Sequence, residues 1–419
     1  MSSDNRFGMM KRAVILFLFL LIACLAYKVS ACTSIVVSGR ASSDGRPFIF
    51  KNLDAINCNV VVVSFQGERY FYTAMTSAIS NPRGVISGFN EVGFSIINTN
   101  GRNLNVGKQD NSNNTKLMRR ALEVCATLED FETLLDTLPR PLHLNSNYGV
   151  MDAEGGAAYY EASSKSYVKY DANDPKVAPN GYLIRTNFGM SGDRSKGAGF
   201  ERYKAMEMFI DSIKERGKIS AEDVIRKGTR YLTHGESNIN LLDSEPENAA
   251  KSVFVNFANF IPRRQTASAQ LIQGVKPGEN PLGIVAWTIC GSPLTTVCVP
   301  IWITSGHKLP KILSFNSSGH SAMSDAGLEL KKRLFPASKA RKAEEINFAQ
   351  LTNKAGTGIL QQIQPIEDKI FRKSKRISRA IRRRGYAGKK TESFYEWLDS
   401  YVPSEYENRF GIDTFNAIK

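Results

Sequence analysis

The sequence predicts an α/β protein whose sheets are largely antiparallel and are packed in layers with helices. Runs of β-branched and aromatic residues, separated by turn signals, fill residues 32–100 and return at 281–304. Apolar residues at helical spacing recur in the region between them. Strands followed by helices and then by strands again favour layered α/β packing. With 419 residues, the chain can form one large domain with appendages or two domains.

Short paired strands make up the first part of the chain. The first predicted strand is TSIVVSG, which directly follows Cys32, and an Asp-Gly turn leads from it to FIFKNLD. Residues 60–65 and 69–75 predict a second hairpin, and 84–100 predicts two more short strands on either side of NEVG.

Helices and strands then alternate. Apolar spacing predicts a helical region over 115–138, and NYGVMDAEGGAAYYEAS predicts two strands joined by a turn. GYLIRTNFG predicts one more strand. Helices are expected over 200–214 and 220–232, the second with a Ser-x-x-Asp capping pattern at its start. Residues 281–304 predict a late hairpin.

The character of the sequence changes from about Lys308. Residues 328–335 and 359–381 have the spacing of amphipathic helices, and the second passes into a basic run. The aromatic segment ESFYEWLDSYVPSEYENRFG is expected to pack back on the body of the protein. We therefore predict a helical, basic C-terminal extension.

Positive charge is concentrated in that extension. The net charge is +15, and ten Lys and Arg with no Asp or Glu lie between Arg372 and Lys390. This distribution excludes nucleic-acid binding by the protein as a whole, and no nucleic-acid partner is expected. Residues 371–390, with apolar residues between the cations, form a solvated helix face or a contact with an anionic membrane surface. A third alternative for this run is nucleic acid, which an exported protein seldom meets.

The first 31 residues have the pattern of an export signal. Two basic residues precede the apolar run AVILFLFLLIACLAY, and VSA before Cys32 is typical of a signal-peptidase site. We expect cleavage after Ala31 and a periplasmic or extracellular location. Two alternatives are an uncleaved membrane anchor and a lipoprotein anchored through Cys24, since LIAC resembles a lipoprotein box.

The cysteines point to a free thiol. There are six, and none forms a C-x-x-C pair, so neither a disulfide framework nor a zinc site is indicated, and we expect no metal or cofactor. Removal of the signal leaves five, an odd number, and places Cys32 first in the mature chain.

A cysteine at the amino terminus carries a nucleophile and a base on one residue. Its thiolate can attack a carbonyl carbon. The free α-amine, with an ordinary pKa of roughly 7.7–8.0, can accept the thiol proton and pass it to the leaving amine. No histidine is required, and the four histidines form no recognisable Cys-His arrangement. The alternative for Cys32 is a buried thiol at the start of a strand.

The sequence around Cys32 resembles the cysteine N-terminal-nucleophile amide hydrolases. This superfamily includes choloylglycine hydrolases, penicillin V acylases, cysteine-type dipeptidases and acyl-coenzyme A:6-aminopenicillanic acid acyltransferases. The resemblance begins with CTSIVVSGRASSDGRPFIFKNLD and continues in GFNEVGFSIINTN, NYGVMDAEGGAAYYEAS, RTNFG, ERYKAM and GSPLTTVCVPIW. These motifs cover about residues 32–304. The resemblance implies a four-layer αββα sandwich with antiparallel sheets.

The resemblance also implies roles for individual residues. Cys32 matches the nucleophile, and Asp54 matches the family aspartate that orients the α-amine. Lys51 stands where the family usually has arginine beside the thiol; it keeps the positive charge but lacks the planar fork. Without the resemblance, Asp54 reads as a turn-capping residue.

Three further polar residues match the family pattern. Asn100 and Asn187 match active-site asparagines, whose amide N–H groups suit an oxyanion hole. Asn98 faces the same way as Asn100 on a strand, so the two are not separated by sequence. Arg202 matches an arginine near the nucleophile, with an exposed helix arginine as the alternative.

Together these observations predict an exported hydrolase or acyltransferase of linear amide C–N bonds that acts through a thioester on Cys32. The predicted organisation is a signal peptide (1–31), an N-terminal-nucleophile domain (32–307) and the extension (308–419). The substrate is expected to be a small-molecule amide, and its identity and the oligomeric state stay open. The alternative is a non-catalytic envelope protein of the same fold that binds anionic membrane through its basic helix.

Overall fold

Two antiparallel sheets lie face to face, and helices cover the outer side of each. The computed structural model describes residues 31–55, 59–78, 84–105, 112–215, 217–304, 307–317, 319–336, 344–385 and 388–413. The predicted export signal and its alternative at Cys24 lie outside the described residues, apart from Ala31 at the expected cleavage site.

The sheet that contains Cys32 has six strands in the described part of the chain. They are β1 (Ala31–Val37), β2 (Phe48–Asp54), β10 (Tyr182–Arg185), β12 (Thr266–Gln273), β13 (Val285–Cys290) and β14 (Val299–Ile301). Their order across the sheet is β10-β1-β2-β12-β13-β14, and neighbouring strands are antiparallel. Strands β1 and β2 form the hairpin that the Asp-Gly turn predicts.

The second sheet has seven strands that pair in chain order, as expected from consecutive hairpins. Its strands are β3 (Val60–Gln66), β4 (Phe71–Ser77), β5 (Val85–Asn90), β6 (Ser95–Asn100), β7 (Ser146–Met151), β8 (Ala157–Ala162) and β9 (Tyr167–Asp171). A separate pair joins β11 (Phe254–Asn256) to β15 (Glu345–Asn347).

The two sheets meet through β1 and β2 on one side and β6 and β7 on the other. Gly149 permits this approach, because a Cβ there would lie 3.0 Å from Val36 of the opposite sheet and 2.9 Å from Ile97. The interface between the sheets is therefore a close-packed apolar layer, and Cys32, near the start of β1, belongs to it.

Helices α1 (Asn114–Val124) and α2 (Leu128–Thr137) cover the seven-stranded sheet, where Phe131 packs against the inward aromatic rings. The sequence predicted one helical region over 115–138. The chain instead breaks at Thr127, whose hydroxyl accepts from the backbone N of Asp130 in a capping box that begins a new helix.

Helices α3 (Phe200–Lys214) and α4 (Ala221–Arg226) lie against strands of the six-stranded sheet and complete the fourth layer. The predicted αββα arrangement is thus confirmed. The helix predicted over 220–232 is shorter than expected: it starts at the predicted cap but ends at Arg226 and gives way to a 3₁₀ turn over Gly228–Arg230.

The chain after residue 308 is helical, as predicted, and is anchored deeply in the core. Its helices are α5 (Ala322–Leu334), α6 (Phe348–Leu351), α7 (Ile359–Arg384) and α8 (Lys389–Phe410). Phe371 of α7 stacks on Trp287 of β13, with ring centroids 4.3 Å apart. Two tyrosines of α8, Tyr395 and Tyr406, each accept from a backbone N–H and donate to a backbone carbonyl of the segment 295–302.

The apolar face of α7 is already used within the protein, because Phe371 and Ile381 are buried. The cations of the same helix face outward, among them Arg376, Arg379 and Arg383. In the part of the chain that the structure describes, no helix combines the length and apolar character needed to cross a membrane. The predicted boundary between 307 and 308 stays a prediction.

Strand β12 was not predicted from the sequence, although it lies between β2 and β13 at the centre of its sheet. Its sequence, TASAQLIQ, alternates polar and apolar residues over its first six positions, but only Leu271 and Ile272 are large and apolar. All eight residues are buried, because helices cover one face and the second sheet covers the other. The signal for a strand is weak because the segment has no aromatic residue and few β-branched residues, which are the types typical of strands.

Candidate active site

Cys32 lies in β1 between β2 and β10, with its residue almost fully buried. In the ladder with β2 it is opposite Leu53, and Ala31 is opposite Asp54. The backbone N of Cys32 donates to Oδ1 of Asn187 at 3.0 Å. The backbone that carries the thiol is therefore held by the ladder with β2 on one side and by Asn187 on the other, and pairing with β10 begins at Ser34.

Arg202, on α3, reaches this backbone from the helical layer. Its Nη2 donates to Oδ1 of Asn187 at 2.8 Å, and its Nη1 donates to Oγ1 of Thr33 at 3.0 Å and to the carbonyl O of Cys32. Gly199, at the start of the helix, has φ +84°, and a Cβ there would collide with the guanidinium. Arg202 is buried and is not an exposed helix residue.

Burial dominates the environment of Arg202. It lowers the pKa of Arg202 to about 10, with a smaller contribution from the charge of Arg263 and against the charges of Asp54, Cys32 and Glu201. A buried cation with a lowered pKa gains when negative charge forms beside it. The site is therefore prepared for an anion next to Cys32.

Asp54 is the last residue of β2 and is buried. Its carboxylate accepts from Nε of Arg263 at 2.6 Å and from Oγ1 of Thr266 at 2.7 Å. The backbone register places it directly opposite Ala31, beside the Ala31–Cys32 peptide bond. Asp54 is thus held at the position where a new α-amine would form.

Lys51 lies on the same face of β2 as Leu53, diagonally across from Cys32. Its Nζ donates to the carbonyl O of Ile86 at 3.0 Å and to Oδ1 of Asn98 at 2.8 Å. Burial lowers the pKa of Lys51, and the charge of Cys32 opposes that shift. Lys51 therefore stays within electrostatic reach of the thiol.

The structure distinguishes the two asparagines of β6 that the sequence left unseparated. Asn98 accepts from Lys51 and donates from Nδ2 to Oγ of Ser146 at 3.2 Å, so its amide is occupied within the protein. Asn100 contributes its backbone carbonyl to Nδ2 of Asn187 at 3.3 Å, and its own side-chain Oδ1 is buried without a hydrogen-bond partner. The unused atom of Asn100 is an acceptor oxygen, whereas both side-chain atoms of Asn98 are engaged within the protein.

Two arginines near Cys32 were not predicted from the sequence. Burial lowers the pKa of Arg102, and the charge of Arg263 lowers it further, while Cys32 opposes the shift. Arg263 lies in IPRRQT, just before the unrecognised strand β12, so no sequence signal placed it near Asp54. Arg102 follows Asn100 by two residues, and this proximity was the only available signal.

The arrangement suits nucleophilic attack by a thiolate. Lys51, Arg102 and Arg202 all interact electrostatically with Cys32, and surrounding cations favour the charged form of a thiol. Asparagine N–H groups at the same place can stabilise an oxyanion. Among the described residues, no cluster of His, Cys, Asp and Glu is able to hold a metal ion.

The chain matches known proteins in part of its sequence. Residues 42–198 match the family model of acyl-coenzyme A:6-aminopenicillanic acid acyl-transferase. This stretch contains Lys51, Asp54, Asn98, Asn100 and Asn187. A search of curated protein sequences found no significant match. The family match confirms the resemblance to the cysteine N-terminal-nucleophile superfamily that the motifs indicate.

Among solved structures, the chain is similar to a Caenorhabditis elegans orthologue of N-acylethanolamine-hydrolyzing acid amidase. The identity is 22%, the TM-score is 0.33, and the match covers 45% of this chain and 80% of that chain. It is similar to a mutant of conjugated bile acid hydrolase from Clostridium perfringens, with 10% identity, coverage of 65% and 92%, and a TM-score of 0.37. It is also similar to penicillin V acylase from Agrobacterium tumefaciens, with 13% identity, coverage of 65% and 87%, and a TM-score of 0.34.

Proposed function

We propose that this chain, once cut after Ala31, hydrolyses linear amide C–N bonds or transfers their acyl groups, with Cys32 as the nucleophile. One observation carries the proposal: several groups that this chemistry needs lie around Cys32. They are its hydrogen-bonded backbone nitrogen, the carboxylate of Asp54 and the nearby buried cations. The nitrogen of Cys32 is bound by Asn187, and Asp54 lies opposite the residue that cleavage would remove. This is the chemistry expected of an N-terminal nucleophile, in which the strand itself supplies the base.

The proposed reaction begins when the free α-amine of Cys32 accepts the proton of the thiol. The sulfur then attacks the carbonyl carbon of the amide, and the negative charge that develops on the carbonyl oxygen is stabilised by amide N–H groups. Asn100 and Asn187 are the candidates for these donors. Collapse of the tetrahedral intermediate breaks the C–N bond, and the protonated α-amine gives its proton to the leaving amine.

The resulting thioester on Cys32 is resolved by a second nucleophile. Water gives the free acid, and a second amine gives a new amide, so hydrolysis and acyl transfer share every step up to this point. We propose a small-molecule amide as the substrate. The matching family model supports this class, since 6-aminopenicillanic acid, in the name of that family, is a small molecule.

Export is part of the proposal, because removal of residues 1–31 creates the α-amine that the reaction needs. The proposed contact with an anionic membrane surface through residues 371–390 rests on the outward cations of α7. Since Phe371 and Ile381 are buried in the protein, such contact would be made by surface charge and not by insertion of the helix.

The test determines the N-terminal residue of the mature protein and then removes the sulfur of Cys32 by substitution. N-terminal sequencing of the purified native protein is expected to give Cys-Thr-Ser, and the mature chain is expected to release acyl groups from one or more members of a panel of N-acyl amino acids, N-acylethanolamines, conjugated bile salts and penicillin V. Cys32→Ala should lower this turnover by at least about 10⁴-fold, as expected for removal of a nucleophile. A mature chain that starts at Cys24, or turnover that survives Cys32→Ala, would refute the mechanism.

A further inference from the structure

A cavity of about 200 Å³ lies on the six-stranded sheet away from Cys32. The turn between β1 and β2, the start of α4, the end of β12 and one face of α7 meet there. Ser43 of that turn lies beyond the far end of β1, whose seven residues span roughly 20 Å. The cavity is therefore separate from the candidate active site, and a ligand bound in it is independent of the proposed chemistry at Cys32.

Helix α7 contributes three cations to the wall of this cavity. Lys375, Arg379 and Arg382 are spaced by four and three residues, which places them on one face of the helix. Two carboxylates, Asp44 and Glu222, also line the cavity. The charge of the wall thus depends on which of these groups are already paired.

Both carboxylates are engaged by other residues. Asp44 accepts from Nη1 of Arg46 at 3.0 Å and from Nε2 of Gln273 at 2.9 Å. Glu222 accepts from Nη1 of Arg226 at 3.2 Å and lies 3.0 Å from Nζ of Lys375. The other two cations of the wall are Arg379 and Arg382. In the described part of the chain, neither has a carboxylate within 4 Å.

Arg382 shows most directly that the cations of this cavity lack acceptors. Its Nε is buried and has no hydrogen-bond acceptor among the described residues. Burial lowers the pKa of Arg382, and the nearby charge of Arg46 lowers it further, against the weaker attraction of Asp44 and Glu279. A buried guanidinium N–H without an acceptor costs stability, which an incoming anion would restore.

We propose that this cavity binds a phosphate group. Arg379 and Arg382 supply charged donors, and Ser43 and Ser378 add hydroxyl groups. Lys375, although paired with Glu222, adds a third positive charge. The cavity is larger than a phosphate ion, and the indole of Trp287 forms an apolar wall for the organic part of a phosphate ester. The phosphate comes either from a phospholipid headgroup or from a soluble ester.

The test measures binding of inorganic phosphate and of glycerol 3-phosphate to the full-length mature protein by titration calorimetry in chloride buffer. Arg379→Gln and Arg382→Gln should each weaken binding by about ten-fold or more, since each removes charge-assisted hydrogen bonds. Arg376→Gln and Arg383→Gln remove exposed cations of the same helix that do not line the cavity, and should change affinity by less than about three-fold. Arg379 is exposed, so its replacement tests the site even if Arg382→Gln fails to fold.

Vesicles distinguish the two sources. If the site binds a lipid headgroup, phosphatidic acid vesicles should retain the wild-type protein more strongly than Arg379→Gln, and phosphatidylcholine vesicles should not. Glycerol 3-phosphate should then compete with the phosphatidic acid vesicles for the wild-type protein. A site for a soluble ester predicts binding of glycerol 3-phosphate with equal retention of wild type and Arg379→Gln on both vesicles. The proposal is overturned if neither phosphate compound binds, or if all four substitutions weaken binding equally, since the effect would then be general surface charge.

Discussion

Buried charge is arranged in opposite ways around Cys32 and at the joint between the core and helix α7. Around Cys32, buried cations outnumber the carboxylates near them, and the pKa values of Lys51 and Arg202 are lowered. At the joint, both Nη atoms of Arg230 bind the two carboxylate oxygens of Glu367 at 2.8 and 2.7 Å. Burial there lowers the pKa of Arg230, but the charge and hydrogen bonds of Glu367 outweigh it, so the pKa is raised.

The remaining hydrogen-bonding groups of the joint are also used. Arg230 donates to the carbonyls of Pro293 and Thr296, and Glu367 accepts from the backbone N of Cys298 at 2.7 Å. A cluster in which every charge is matched stabilises one geometry, whereas a cluster with unmatched cations gains when an anion forms in it. The comparison teaches that the buried charges of the joint serve stability, whereas those around Cys32 suit the binding of an anion.

The largest expected effect comes from opening the matched cluster. Glu367→Ala leaves Arg230 as an uncompensated buried cation, and we expect the free energy of unfolding to fall by about 3–5 kcal/mol. Urea unfolding followed by circular dichroism measures this loss. The control is Glu329→Ala, which removes an exposed pair with Lys332 and should cost less than about 1 kcal/mol. Equal losses in the two variants would show that the joint carries no special stability.

The next effect should appear in activity and not in stability. Asn100→Ala is expected to lower kcat by about 10²–10³-fold, because it removes a proposed oxyanion donor. Its unfolding free energy should change little, since its side-chain oxygen has no partner to lose.

Asn98→Ala is the matched control on the same strand face. It removes one of the two acceptors of Lys51 and the donor to Ser146, so it should cost about 1–3 kcal/mol of stability and reduce kcat less than Asn100→Ala does. Steady-state kinetics with the amide identified in the substrate panel, together with urea unfolding, measures both quantities. The reverse pattern would assign the catalytic asparagine to position 98.

A smaller effect is expected from the tyrosines that join α8 to the core. Tyr406→Phe removes the acceptor of the backbone N of Val297 and the donor to the carbonyl of Thr295. We expect a loss of about 1–2 kcal/mol of unfolding free energy with unchanged kcat. Tyr401→Phe, on the same helix but half-buried, serves as the control. A kcat that falls in Tyr406→Phe alone would connect this joint to the chemistry at Cys32.

The smallest effect is a pH dependence at Lys51. Because burial lowers its pKa below 10.5, the unfolded chain binds more protons than the native state between the lowered pKa and 10.5. The contribution of Lys51 to stability therefore becomes more favourable as pH rises through that window. The unfolding free energy of wild type minus that of Lys51→Met should therefore rise as the pH increases towards 10.5. A difference that stays constant or falls would show that Lys51 titrates normally.

The parts of the fold whose signals are local could be predicted from the sequence. The β1–β2 hairpin is specified by its Asp-Gly turn, and α3 by its apolar spacing, and both are found where expected. The positions of Asp54 and Asn187 followed from short motifs next to recognisable strands. Local patterns and motifs of this kind can be recognised without knowing which distant residues they contact.

Features that depend on distant contacts could not be predicted. Arg263 meets Asp54 across 209 residues, and the strand that follows Arg263 has no aromatic residue and few β-branched residues. The pair Arg230–Glu367 joins residues 137 apart, and neither stands in a motif. The difference between Asn98 and Asn100 also needed the structure, because it lies in the contacts of Asn98 with Lys51 and Ser146 on other strands.

The burial of the Ala31–Cys32 bond sets an order of events. Ala31 and Cys32 are each 3% exposed, and Ala31 is paired with Asp54 in the ladder. A peptidase must draw an extended stretch of substrate into its own cleft, which a docked central strand does not allow without local unfolding. Under the proposed function, an external peptidase that frees the amine of Cys32 therefore acts either before β1 docks against β2 or after local unfolding of β1. The yield of mature chains would then depend on the relative rates of cleavage and folding, since a chain that folds first keeps the nitrogen of Cys32 in a peptide bond.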